Sequence, residues 1–241
     1  MTRKVLLAGA AAVGLAIGGA ANAAVVGDTP ADNSVIGAVE GWFNANVYLI
    51  AGGPTAIDVW YVGIEAGDRN SFTISGVAPT PGPVTVGPVS GNTGLSDLFG
   101  GTFAATKQGT VTAAPGLLNF SFLTSEPGPG SVVNGLNRPE LSPPNFFATF
   151  GTCSEGAGPT LSCTFDTTVN SATPGGGRAV LLALDDGGPT GNNDDNHDDL
   201  VVVLRIADGS FEVPEPASLG LLGAGLLGLG FAARRRRAAT A

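Results

Sequence analysis

Residues that carry out most protein chemistry are scarce in this sequence. Among 241 residues there are one histidine, two cysteines, one methionine, two tryptophans and 11 lysines and arginines. The lone histidine, His197, has no Cys or His companion with which to build a transition-metal site. No evident serine stands ready as its nucleophile partner, and no Gly-x-Ser-x-Gly elbow occurs. The cations are scattered as well as few. Between Ala24 and Pro216 only Arg69, Lys107, Arg138, Arg178 and Arg205, five in all, face the 20 acidic residues, for a net charge of −15. Phosphate backbones are bound by clustered Lys and Arg, so nucleic acid is excluded as a partner. Good helix formers are few, and no glycine loop opens a helix that could cradle phosphate.

Long apolar runs occur only at the two ends. At the first, Arg3 and Lys4 precede the run Val5–Ala20, and Ala21-Asn22-Ala23 supplies small residues where signal peptidase needs them. A signal peptide over 1–23, cut between Ala23 and Ala24, is expected. At the other end Ala217–Ala233 is 17 residues, nearly all Leu, Gly and Ala. As a helix it would measure about 25 Å, close to the short limit for a bilayer core of about 30 Å. Arg234, Arg235, Arg236 and Arg237 form the stop that stays cytoplasmic.

Val213-Pro214-Glu215-Pro216, a short Leu/Gly/Ala span and a terminal arginine cluster together resemble the PEP-CTERM sorting signal of exported Gram-negative bacterial proteins. That resemblance implies recognition of Pro214, Glu215 and Pro216 by a membrane-embedded exosortase. The tail would be removed and the body released to the cell surface or extracellular matrix, with membrane contact only through 217–233 before processing. Three segments are therefore expected: a signal peptide (1–23), an extracellular body (24–212) and a sorting signal (213–241).

The body is rich in what the rest of the sequence implies it should be: 38 Gly and 17 Pro in the whole chain, with Thr, Val and Phe. Short apolar runs between turn signals predict an all-β fold, an antiparallel β-sandwich of jelly-roll-like form. Strands are expected over 47–51, 56–65, 71–77, 117–124, 145–153, 161–169, 178–184 and 200–207. Gly52-Gly53-Pro54 and Gly67-Asp68-Arg69-Asn70 read as turns joining adjacent antiparallel strands, and 78–91 and 125–131 as Pro/Gly loops. Two cysteines in an exported chain are expected to pair. Cys153 and Cys163 flank SEGAGPTLS, a hairpin tip, so a disulfide there would staple neighbouring strands.

The chemistry of the body is concentrated in 185–199, between two apolar β runs. This loop holds six aspartates, three asparagines and His197. Carboxylates packed so closely repel unless water or a cation screens them, and hard oxygen ligands in number suit Ca²⁺. Asp194, Asn196 and Asp198 alternate as in the first half of an EF-hand loop. The match then fails, with Asp199 where glycine is required and Arg205 where the bidentate glutamate belongs.

A strand ending in LDDGG, an Asp/Asn loop and then DDLVV is similar to a hairpin recurrent in bacterial surface proteins, and the resemblance implies calcium in the acidic loop. Two readings stand: a bound Ca²⁺ held by Asp185, Asp194, Asn196, Asp198 and Asp199, or a hydrated acidic surface. His197 reads as an exposed loop residue. The functional expectation is an exported, non-catalytic surface or matrix protein. One alternative is an extracellular polysaccharide-binding module using Trp42, Trp60 and Tyr61, although IDVWYVGIE reads equally as a core strand. The other is a glycan-active enzyme with a carboxylate pair drawn from Glu40, Glu65, Glu140 and Glu155.

Overall fold

The computed structural model describes residues 25–27, 41–77, 82–93, 95, 102–125, 130–139, 142–165, 176–187 and 197–213. The expected signal peptide, the centre of the acidic loop (188–196) and the sorting tail from Pro214 lie outside these residues. Within them the chain is all-β, and every strand pairing is antiparallel. In chain order the strands are β1 (Val25–Gly27), β2 (Gly41–Phe43), β3 (Tyr48–Ile50), β4 (Thr55–Ser75), β5 (Val84–Thr93), β6 (Thr102–Ala104), β7 (Thr106–Ala113) and β8 (Gly116–Leu117). They continue with β9 (Asn119–Thr124), β10 (Gly130–Val133), β11 (Asn145–Glu155), β12 (Thr160–Phe165), β13 (Gly176–Gly177), β14 (Ala179–Asp185), β15 (Leu200–Ile206) and β16 (Ser210–Glu212). A 12-stranded sheet follows the path β1-β2-β11-β14-β15-β4-β9-β10, with β12, β6, β5 and β7 branching from it. A small sheet of four runs β13-β16-β3-β8.

The β14–β15 hairpin occupies the centre. Every residue in these two strands except Arg205 is buried. A strand covered on both faces reads as a continuous apolar run rather than an alternating one, which is what LLAL and LVVVL display. Val180, Leu182 and Leu184 share one face with their cross-strand partners Leu204, Val202 and Leu200. That face joins the larger core, with Phe72, Phe120, Phe122, Phe146 and Phe150. The opposite face presents Ala179, Leu181, Ala183, Val201 and Val203 to Phe43, Trp60, Phe103, Phe147 and Leu161. Arg205 is the exception because it is paired, its guanidinium lying 3.1 Å from Glu155 and 3.7 Å from Asp58. Burial would raise the Asp58 carboxyl, but Lys107 at 2.8 Å, the Thr110 hydroxyl and Arg205 outweigh it and hold the group below the usual carboxylate range.

Strand β4 explains the layering. Its 21 residues would reach about 70 Å if straight. Both ends nevertheless meet Thr112: Ala56 is its cross-strand partner, and the Val77 N–H donates to its carbonyl at 2.9 Å. The strand therefore doubles back. Thr55–Gly63 pairs with β15 and β7, whereas the later half pairs with β9 and β5. The reversal falls where the β5 register slips, between Ala66 and Asn70. Gly67-Asp68-Arg69-Asn70 is thus a corner inside one bulged strand, not a turn joining two paired strands. The two arms pack toward each other through Ile57, Val59, Phe72 and Ile74, all in the larger core.

Other expectations also change. Gly52-Gly53-Pro54 links β3 to β4, which belong to different sheets, so it is a connection between sheets and not a hairpin turn. The segment expected as a loop over 78–91 contains most of β5, and β7 was not anticipated. Trp42 and Trp60 are buried, at 5% and 4% exposure, and Tyr61 packs against the core. The tryptophans are core residues and offer no aromatic platform to a sugar.

Cys153 and Cys163 are disulfide-bonded, as expected. They are direct partners in the β11–β12 ladder with Cα atoms 4.1 Å apart, the closely spaced kind of antiparallel pair. Closing so short a loop contributes about 2–3 kcal/mol in the chain-entropy account. Replacing both cysteines by serine is expected to lower the urea-unfolding free energy by about that amount. A change below about 0.5 kcal/mol would show that the strand pairing alone holds the hairpin.

Candidate functional site

The register of the central hairpin brings the acidic residues together. Leu184 and Leu200 form its last cross-strand pair, and the Asp199 N–H still donates to the Leu184 carbonyl at 3.1 Å. Asp185 and Asp199 therefore emerge side by side from strands that packing holds fixed. Asp185, Asp198 and Asp199 are all buried, at 0%, 3% and 8% exposure. Asp186, half-buried, donates its N–H to Asp199 Oδ2 at 2.7 Å. The Gly187 N–H bonds Asp185 Oδ1 at 2.8 Å, and the Asp198 carbonyl accepts from the Glu65 N–H at 2.9 Å. The Asp-rich loop is thus rooted in the interior at both ends.

Two asparagines missed by the sequence reading complete this corner. Asn70, at the reversal of β4 and fully buried, donates Nδ2 to Asp186 Oδ2 at 2.7 Å and to the Asp199 carbonyl at 3.2 Å. Both partners are acceptors, which fixes the amide orientation, because a flipped amide would set oxygen against oxygen. Asn70 Oδ1 is then a buried acceptor with no donor among the described residues. Asn145, at the start of β11 and also fully buried, donates Nδ2 to Asp185 Oδ2 at 3.2 Å.

His197 is not the exposed loop residue the sequence suggested. It is fully buried, with its ring against Phe43 (centroids 5.2 Å apart) and Phe147 (6.2 Å). Its Nε2 lies 2.7 Å from Asn145 Oδ1. Asn145 uses its NH₂ on Asp185, so Oδ1 must accept and His197 carries its proton on Nε2. A histidine, an asparagine and an aspartate form one line of hydrogen bonds, His197 to Asn145 to Asp185. Burial depresses the imidazole to about 3, keeping it neutral. The composition of the loop concealed this, because the partner lies 52 residues away in sequence.

The electrostatics of the corner are costly. Burial above all, then the Asp186 charge, pushes the Asp199 carboxyl up to about 9, against the pull of the Asp186 N–H; Asp185 and Asp198 add to the rise. Of the five residues expected to hold Ca²⁺, the structure brings Asp185, Asp198 and Asp199 into one region, while Asp194 and Asn196 lie outside the described residues. Among the described residues no three His, Cys, Asp or Glu side chains converge as a ready metal site. The acids weighed for glycoside chemistry are differently engaged: Glu65 accepts from Asn92 at 2.8 Å and Glu155 pairs with Arg205, while Glu40 and Glu140 lie outside the described residues.

The described chain ends in the small sheet, just after β16. Phe211 in β16 is fully buried and Val213 is 2% exposed, so the body remains part of the core up to the residue before Pro214. A family profile described as the PEP-CTERM protein-sorting motif matches residues 212–237. The chain carries a PEP-CTERM sorting signal. The PEP-CTERM motif implies export, transient anchoring in the membrane and processing by an exosortase. It overlaps β16 by one residue, Glu212, so body and PEP-CTERM signal meet without a spacer. No curated protein and no solved structure matches the chain.

The two shifted groups set a pH profile for the ion-free protein. An Asp raised from 3.8 to about 9 in the folded state leaves stability intact below 3.8 and removes it as pH climbs toward 9. A histidine depressed from 6.5 to about 3 does the reverse, removing stability as pH falls below 6.5. Between about 4 and 6.5 the two slopes oppose each other; above 6.5 only Asp199 acts, at up to about 1.4 kcal/mol per pH unit. Urea unfolding in EGTA is therefore expected to show falling stability from pH 6.5 to 9. Asp199→Asn, which keeps an acceptor for the Asp186 N–H, should flatten that limb. An unchanged slope in the variant would remove Asp199 as its source.

Proposed function

We propose that the mature chain is a non-catalytic β-sandwich protein of the cell surface or extracellular matrix, delivered by its sorting signal, whose acidic corner binds Ca²⁺. The sorting motif at 212–237 supports delivery. The observation that carries the calcium reading is the arrangement around Asn70. Four aspartates lie in the region where β4 reverses, and Asn70 Oδ1, an uncharged hard oxygen, is buried there with no donor among the described residues. A divalent cation would satisfy that oxygen and offset the burial, and after it the neighbouring negative charge, that keep Asp199 protonated. Asp194 and Asn196 would complete the oxygen set from the loop. Asn145 and His197 are the supports, holding Asp185 by hydrogen bonds much as outer groups orient metal ligands elsewhere.

No catalytic role is assigned to the corner. A neutral, fully buried histidine and carboxylates with interior partners are suited to holding a structure together. The consequence of calcium binding would be mechanical: the ion would join the tip of the central hairpin to the reversal of β4, and so to both layers.

Calcium should stabilise the body by RT ln(1 + [L]/Kd), because only the folded state gathers the ligands. With Kd of about 10⁻⁴–10⁻³ M, as for extracellular modules, about 10 mM Ca²⁺ contributes roughly 1.4–2.7 kcal/mol. At about 2–4 °C per kcal/mol for this size the Tm should rise by roughly 3–11 °C. Mg²⁺, which holds its water and demands a tight octahedron, should do much less. Asp194→Asn with Asp198→Asn should abolish the calcium-specific rise. Equal shifts with both ions, unchanged in the double variant, would leave only a screened acidic surface.

Delivery has its own test. In a host with an exosortase, mass spectrometry of released protein should find a mature N-terminus at Ala24 and the tail lost near Pro216. An intact arginine cluster on released material would contradict processing.

A further inference from the structure

The small sheet has two unlike faces. Leu49 and Phe211 point inward and are fully buried. Cross-strand partners share a face, so Tyr48 stands with Leu117 and Glu212, and Ile50 with Ser210, on the outer side. Ile50 is 47% exposed and Leu117 45%. Leu136, at 72% the most exposed large apolar residue among those described, belongs beside them. The turn that carries it is clamped to this sheet: Asn134 exchanges hydrogen bonds with Val47, and the Gly135 N–H donates to Asn46 Oδ1 at 2.8 Å. A Cβ placed at Gly135 would lie 3.0 Å from the Leu117 side chain. Half of the six exposed large hydrophobics among the described residues, Ile50, Leu117 and Leu136, thus share one small surface.

The chain leaves the body from this same sheet. Val213, buried directly after β16, is the last core residue among those described, and the apolar span begins at Ala217. Four residue steps reach at most about 14 Å. A body so tethered cannot stand clear of the bilayer that the span enters, and the surface nearest its point of attachment is the outer face of the small sheet. The acidic corner lies beyond Leu184 and Leu200, whereas β13 and the start of β16 adjoin the Ile206 and Ala179 end of the β14–β15 hairpin.

We infer that, until the tail is cut, the outer face formed by Tyr48, Ile50, Leu117 and Leu136 rests on the lipid surface of the membrane in which the tail is anchored. This rests on the anchoring role given to the tail. The tether supplies the high local concentration that lets a small apolar surface engage, so the contact belongs to the uncut chain, and cleavage ends it. The net negative charge of the body fits this: it would hold a free body away from anionic lipid, leaving release complete once the tail is gone.

The test uses the full, uncut chain, purified from a host without exosortase and reconstituted in phosphatidylcholine vesicles with or without bromine on the acyl chains. Leu136→Trp places a fluorophore on the proposed contact, Leu117→Trp repeats it within the sheet, and Asn92→Trp is the control, beside Glu65 at the acidic end. Trp42 and Trp60 are buried and give the same background in each. Brominated lipid is expected to remove most of the added emission from the first two variants and little from the third. Equal quenching in all three, or none in the first two while the chain still floats with the vesicles, overturns the inference and leaves the anchor standing. The same holds if the Leu136→Trp emission instead changes with protein concentration, which would give the face to a second copy. A chain that fails to float with the vesicles overturns the anchor and the inference together.

Discussion

Covering the β14–β15 hairpin on both faces is the constraint that organises this fold. A hairpin with apolar residues at nearly every position cannot lie at a surface, so each face needs its own layer of side chains. The doubling back of β4 supplies much of one cover: its first arm pairs with β15, and its second carries Phe72 and Ile74 into the core beneath the hairpin. Strands β11, β12 and β6 extend the sheet so that Phe147, Leu161 and Phe103 close the other face. The packing of two greasy strands therefore determines where nearly everything else must go.

The same constraint produces the acidic corner. Ladder register leaves Asp185 and Asp199 no freedom to separate, because the strands that carry them are held by burial along their length. Hydrophobic packing thus forces like charges into proximity, and asparagines answer it. Asn70 joins the corner to the reversal of β4, and Asn145 joins it to β11 and the buried imidazole. Electrostatic cost is concentrated where three otherwise distant segments of chain meet.

The sequence revealed the strands that bury apolar residues and hid those that do not. β14, β15, β11 and β9 could be read from runs of Leu, Val and Phe, and the disulfide from two cysteines across a glycine-rich tip. β7 could not, because TKQGTVTA is half exposed and shows little alternation. β5 contains Gly87-Pro88 and Gly91, residues that ordinarily mark loops. Gly67–Asn70 has the composition of a turn between paired strands, and that composition does not reveal that a single strand runs through it with its two arms in different layers. Within the site the aspartates were evident from their density. Asn70, Asn145 and the buried state of His197 depend on contacts between segments 40 to 129 residues apart, for which a single sequence carries no signal.

The last strand has a consequence for how the molecule comes into being. β16 supplies Phe211 and pairs with β3, more than 150 residues earlier, and Val213 fills the core immediately before the sorting tail. An exported chain emerges from its channel N-terminus first, so nearly the whole body reaches the far side lacking the strand that closes its small sheet. The described apolar core can be sealed only once residue 213 has crossed, with the sorting motif following directly behind it. Completion of the fold and arrival of the processing signal are thus events of the same moment, set by the order of the residues along the chain.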